Sequence, residues 1–182
     1  MALTKTEERI AIPKGVEVKA EKGMVTAKGA KGECMKNMID PWIEIFVDGN
    51  DVVFKLKRNT KKEKTRIWTY ASHLQNMMKG ALEGHVYKLK ICSGHFPMTV
   101  SVSGEVLTVN NFLGEKKPRT MKLKKGVNVK VEGERITVES PDKELAGQTA
   151  ASIEALTRIT NRDLRIFQDG IYITDKDGKP VR

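Results

Sequence analysis

Residues 15–28, GVEVKAEKGMVTAK, and residues 126–139, GVNVKVEGERITVE, decide how the chain is read. In the first, Val16, Val18 and Ala20 alternate with polar residues, the pattern breaks at Gly23, and it resumes at Met24 and Val25. Alternation with period two on both sides of a glycine is the mark of a β-hairpin with one buried face. The second stretch has the same form around Gly133. The two align without gaps over residues 12–34 and 123–145, with Lys14/Lys125, Gly15/Gly126, Val16/Val127, Val18/Val129, Lys19/Lys130, Glu21/Glu132, Thr26/Thr137 and Glu33/Glu144 identical.

Working outward, a related segment, LTVNNFLGE (107–115), lies beside VTAKGAKGE (25–33) and ITVESPDKE (136–144). IEIFVDGNDVVFKLK (43–57) predicts a hairpin about Asp48-Gly49, and MTVSVSGEVLTVN (98–110) one about Ser103-Gly104. TRIWTYASHLQNMMKGAL (65–82) places Ile67, Ala71, Leu74, Met78 and Ala81 on one helical face, with Trp68 and Tyr70 beside it. A second helix is expected from Ser140-Pro141-Asp142, with Ser140 as side-chain cap and Leu145, Thr149, Ile153 and Leu156 as its buried stripe. Two hairpins and a helix therefore occur twice. The expected class is α+β: two similar small domains, residues 1–84 and 85–182, each an antiparallel β-sheet with one packed α-helix. The gapless match pairs the first hairpin of one half with the second of the other, so the register of the repeat stays open.

Lys and Arg number 33 against 23 Asp and Glu, a formal charge of +10, and the excess is shared evenly by the two halves. Such a surface favours polyanions, with nucleic acid first among them. MALTKTEERIAIPKG has no apolar run of signal-peptide length, and no window approaches the roughly 20 apolar residues a membrane helix needs, which predicts a cytoplasmic protein. Cys34 and Cys92 suit neither a disulfide framework nor a CxxC site; Cys34 is expected in the core as a reduced thiol.

The usual catalytic signatures are missing. His73, His85 and His95 are isolated in sequence, and neither GxSxG, GxxxxGK[ST] nor GxGxxG occurs. No enzyme activity, metal or cofactor is expected. GAKG (29–32) has the letters of a K-homology GxxG loop but follows one strand and leads into another, unlike the helix-to-helix loop of that domain. Aromatic residues make up 5%, which leaves few rings for base stacking and turns attention to backbone charge and shape.

Three stretches concentrate positive charge. KLKRNTKKEKTR (55–66), expected between the second hairpin and the helix, carries Lys61, Lys62 and Lys64. KKPRTMKLKK (116–125) carries Lys116, Lys117, Arg119, Lys122 and Lys124; there Pro118 stiffens a basic arm that follows an apolar anchor at Phe112-Leu113. RITNRDLR (158–165) carries Arg158, Arg162 and Arg165 after the last helix. Bases on loops can follow a phosphate backbone and release its counterions, and guanidinium forks match phosphate oxygens.

HFPMTVSVSGEVLTVNNFLGEKKPR (95–119), DKELAGQTAASIE (142–154) and RIFQDGIYIT (165–174) resemble the archaeal and eukaryotic branch of the universal ribosomal protein L-six family of the large subunit, the archaeal form above all. The resemblance spans nearly the whole chain. Its NFLGEK-PR block falls on Asn111, Phe112, Leu113, Gly114, Glu115, Lys116, Pro118 and Arg119, and its C-terminal block on Arg165, Phe167, Asp169, Gly170, Ile171, Tyr172 and Ile173. It implies two similar domains, binding of large-subunit ribosomal RNA chiefly through the second, and a place near the sarcin–ricin loop and the stalk base, where translation factors dock. Neighbouring ribosomal proteins are implied partners; a membrane or small-molecule substrate is not. Bacterial members have Tyr-Lys-Gly-Lys-Gly after the last helix where this chain has NRDLRIFQDG, in which an Asp-Gly turn is expected to precede a short final strand. From the residues alone, a basic module binding acidic proteins and an RNA-modifying enzyme are the alternatives.

Overall fold

The computed structural model describes residues 7–181. The N-terminal reading thus rests partly on residues 1–6, which lie outside the described residues. The chain divides between Gly84 and His85 into two compact units.

In the first unit, β1 (Glu7–Ala11) is followed by β2 (Glu17–Glu21), β3 (Met24–Gly29), β4 (Gly32–Asn37), β5 (Ile43–Asp48), β6 (Asp51–Leu56) and α1 (Lys61–Leu82). They form two antiparallel sheets, ordered β2-β3-β4 and β1-β6-β5. Val25, Ala27, Val52 and Phe54 supply the sheets' share of the core, and the helix adds Ile67, Ala71, Leu74, Met78 and Ala81, as the spacing predicts. Cys34 is buried among them. Glycine matters at Gly29, where the strand meets α1: a Cβ there would lie 2.5 Å from the carbonyl oxygen of Ala81. GAKG is the tight turn of this hairpin, with Gly29 paired to Gly32.

In the second unit the order is β7 (His85–Cys92), β8 (Thr99–Ser103), β9 (Val106–Asn110), a single 3-10 turn (Phe112–Gly114), β10 (Arg119–Lys122), β11 (Asn128–Glu132), β12 (Arg135–Ser140), α2 (Lys143–Leu156), β13 (Gly170–Lys176) and β14 (Lys179–Pro180). One sheet runs β8-β9-β10 and the other β11-β12-β7-β13-β14. Leu107, Val109, Phe112, Ile136, Val138, Ala146, Ala150, Ile153 and Ile171 fill the core.

The topology settles the register of the repeat. In each unit a three-stranded meander is followed by a hairpin whose second strand also pairs with the unit's first strand: β6 with β1, β12 with β7. The equivalent of β2-β3 is thus β8-β9, the alignment of VTAKGAKGE with LTVNNFLGE, whereas the longer gapless match compares non-equivalent hairpins. Their likeness reflects a shared demand, alternation closed by a two-residue turn. The units differ in the turn between the second and third meander strands, which takes Ala30 and Lys31 in one and residues 111–118 in the other, and in β13 and β14, which the second unit adds beside β7.

Several local expectations are corrected. The hairpin turns are Gly49-Asn50, Gly104-Glu105 and Gly133-Glu134, one residue later than the pairs read about Asp48-Gly49 and Ser103-Gly104, because Asp48 and Ser103 are still paired in the ladder. The helix α1 begins at Lys61, so Lys61, Lys62 and Lys64 occupy its first turn rather than a loop before it. Asp142, not Ser140, caps α2: its carboxylate accepts the Glu144 N–H at 2.8 Å, while Ser140 still belongs to β12. Ala146 and Ala150 join Thr149 and Ile153 on the buried face, with Leu145 and Leu156 half-buried at its margins. Arg119–Lys122 pairs with β9 as a strand, so the second basic run is not one loop.

Candidate nucleic-acid interface

One end of the second unit gathers the ends of five strands and of α2. There β7 finishes at Cys92, β8 begins at Thr99, β9 finishes at Asn110, β10 begins at Arg119 and β13 begins at Gly170. The three connecting segments lock together. Asn111 donates its side-chain amide to the Pro97 carbonyl at 3.0 Å. The Phe96 ring lies against Gly114. The buried Asp169 carboxylate accepts the His95 backbone N–H at 2.9 Å and lies 2.6 Å from the His95 Nδ1. Asp169 therefore ties two loops together and does not head a hairpin turn. Burial pushes its carboxyl up, but hydrogen bonds from His95 and Gly94, with the attraction of the His95 ring, outweigh that and bring it below the usual carboxylate range.

Strand alternation sorts the second basic run. Along β10, Arg119 and Met121 turn inward while Thr120 and Lys122 face water. The Arg119 guanidinium lies 4.2 Å over the Phe112 ring, holds Glu115 through two hydrogen bonds of 2.8 and 2.5 Å, and donates to the Leu156 carbonyl at 2.8 Å. The Glu115 carboxyl is lowered by that hydrogen bond. The arm expected from Lys116 to Arg119 thus ends at Pro118. Lys116 and Lys117 stand exposed between Glu115 and Pro118, while Arg119 is spent on the fold. Phe112, almost wholly buried, is the anchor the sequence predicts.

After α2, Arg158 and Arg162 are exposed, and Arg162 rests its guanidinium 4.7 Å over the Phe167 ring. Arg165 pairs with Asp163 at 2.8 Å but keeps 90% of its side chain exposed. Lys116, Lys117, Arg158, Arg162 and Arg165 therefore belong to loops of one end. Lys122 and Lys124 do not: Lys122 faces Glu105 at 3.8 Å across the far hairpin turn, and Lys124 bonds Gln148 on the helix. Lys61, Lys62 and Lys64 lie in the other unit, the first two exposed and Lys64 half-buried.

The aromatic groups of this end escape a reading by composition. His95, Phe96 and Phe167 are few, yet loop closure collects them among the bases, with the His95 and Phe167 centroids 4.8 Å apart. Their sequence separation leaves no local signal; only the resemblance blocks, which contain all three, pointed there.

The sequence profile of the family described as Ribosomal protein L6 matches the chain twice, at residues 12–84 and 96–170, once in each unit. The chain belongs to the ribosomal protein L6 family. Among its relatives is the large ribosomal subunit protein uL6 of Methanococcus vannielii, 45% identical over 94% of both chains. Proteins of the same name from Methanocella arvoryzae and Methanospirillum hungatei are 43% and 42% identical, over 97% and 93% of this chain and 99% and 97% of their own. These relatives are archaeal, as the resemblance implied. Ribosomal protein L6 is a structural family without catalytic activity.

Proposed function

We propose that the chain is a structural constituent of the large ribosomal subunit of cytoplasmic ribosomes, where it holds large-subunit ribosomal RNA beside neighbouring ribosomal proteins. The observation that carries this reading is the family match through both units, with archaeal relatives named for that subunit. The geometry supports an RNA-facing role for the loop end of the second unit, where Lys116, Lys117, Arg158, Arg162 and Arg165 are exposed over a rigid floor. These bases supply affinity by neutralising phosphates, and the fixed shape of the floor supplies fit to folded RNA. Lys61 and Lys62 of the first unit, and Lys122 and Lys124 away from this end, give secondary contacts. Arg119 serves by shaping the loop rather than by touching RNA. The resemblance further favours a position near the sarcin–ricin loop and the stalk base, with translation factors close by.

Co-sedimentation tests the reading. The full chain is expected to stay with archaeal large subunits through a high-salt wash; its release at modest salt, with loosely held proteins, refutes an integral role.

A further inference from the structure

An ionised carboxylate inside a protein is costly, and it is usually found where it fixes something that matters. Asp169 is such a group, its side chain only 4% exposed, and two of its partners are the main chain and ring of the same residue, His95. The residue so fixed is not in the core: 40% of the His95 side chain faces solvent. A buried acid is here spent on holding a surface ring still. That ring lies against Phe167, half-buried and packed on the core, at 4.8 Å with a 30° tilt. The same Phe167 ring carries the planar guanidinium of exposed Arg162. Three flat groups are thus assembled at the surface, the His95 ring held by Asp169 and Phe167 by the core. Because Nδ1 is engaged by Asp169, Nε2 is the imidazole nitrogen left for a ligand.

We propose that His95, Phe167 and Arg162 form a preorganised stacking platform that receives an unpaired base of RNA. The inference rests on the RNA-binding reading above and adds a contact that charge does not supply. Single-stranded bases in folded RNA are held by stacking on His, Phe and Arg planes, and a platform immobilised beforehand loses little entropy when a base arrives. Exposed Lys116 and Lys117 on a loop of the same end would take flanking phosphates, and the edge of Arg162 can do so while its face rests on Phe167. Asp169 acts as a positioning residue.

The test is filter binding of the full chain to transcribed archaeal large-subunit ribosomal RNA at several salt concentrations. Stacking, unlike phosphate neutralisation, leaves the salt slope alone. His95→Ala is expected to weaken binding about tenfold at unchanged slope, and His95→Phe to retain most of the affinity. Arg162→Lys, which keeps the charge and loses the plane, is expected to weaken it about threefold without touching the fold. Should His95→Ala unfold at lower temperature than the native chain, Arg162→Lys decides alone. Native affinity in both His95→Ala and Arg162→Lys overturns the platform while leaving the ribosomal reading intact, and so does a His95→Phe variant as weak as His95→Ala. Failure of the native chain to retain the RNA overturns both.

Discussion

Arg119 donates to the carbonyl oxygen of Leu156, the last residue of α2, across 2.8 Å. The final carbonyls of a helix have no partner within it and carry the negative end of its dipole, so a cation there satisfies one and is attracted by the others. The same guanidinium covers Phe112 and grips Glu115, so one side chain joins β10, the 3-10 turn and the helix end.

Arg119→Ala is accordingly expected to lower stability by about 1.5–3 kcal/mol, the cost of removing hydrogen bonds to a charged group. Urea denaturation measures it, and hydrogen exchange should show the loss concentrated in the last turn of α2. Arg119→Lys should recover only part, since an ammonium cannot make the paired bonds to Glu115.

Lys116 and Lys117, on the same run, should behave in the opposite way. Replacing both by Ala is expected to leave stability within about 0.5 kcal/mol and to reduce the salt slope of RNA binding by about 1.4 to 1.8. An unchanged slope in a filter-binding titration removes them from the interface.

Gly29→Ala should destabilise the first unit by about 1–3 kcal/mol, because the new methyl meets the backbone oxygen of Ala81, which cannot rotate away. Thermal unfolding followed by circular dichroism gives the value.

Acid should weaken the Asp169 tie. A carboxyl depressed in the folded chain binds its proton less readily there than in the unfolded chain. Its contribution is therefore present above the unfolded value of about 3.9 and disappears as pH falls through the lower folded value. The stability difference between the native chain and Asp169→Asn is expected to be largest near neutrality and to shrink below about pH 4, as read by denaturation at stepped pH.

Much of the fold is legible in local pattern. The hairpins at Gly23, Gly49, Gly104 and Gly133, the α1 stripe and the strand at Ile171 follow from periods of two and 3.6 and from turn glycines. Four strands fall outside that reading: β1, β7, β10 and β14. β7 alternates Tyr87, Leu89 and Ile91 inward, but its partners β12 and β13 are distant in sequence and no turn announces it. β10 is four residues long and rich in bases, so charge masked its alternation. Of the candidate site, the exposed lysines and arginines were readable as composition. The inward turn of Arg119 depended on strand phase, and the joining of His95 to Asp169, 74 residues apart, depended on tertiary closure.

The contrast between the two meander turns has an evolutionary consequence. If a single ancestral unit was copied, the two copies differ at this point by the length of one connection, while the meander strands on either side of it keep their pairing. Loop-closure entropy makes such an expansion inexpensive, roughly 0.6 kcal/mol for each doubling of length. Burying Phe112 offsets that cost within the longer connection, and Arg119, at the start of β10, covers the same ring. A longer surface connection can therefore be carried by one copy without loss of its capacity to fold, while the other copy keeps the short turn.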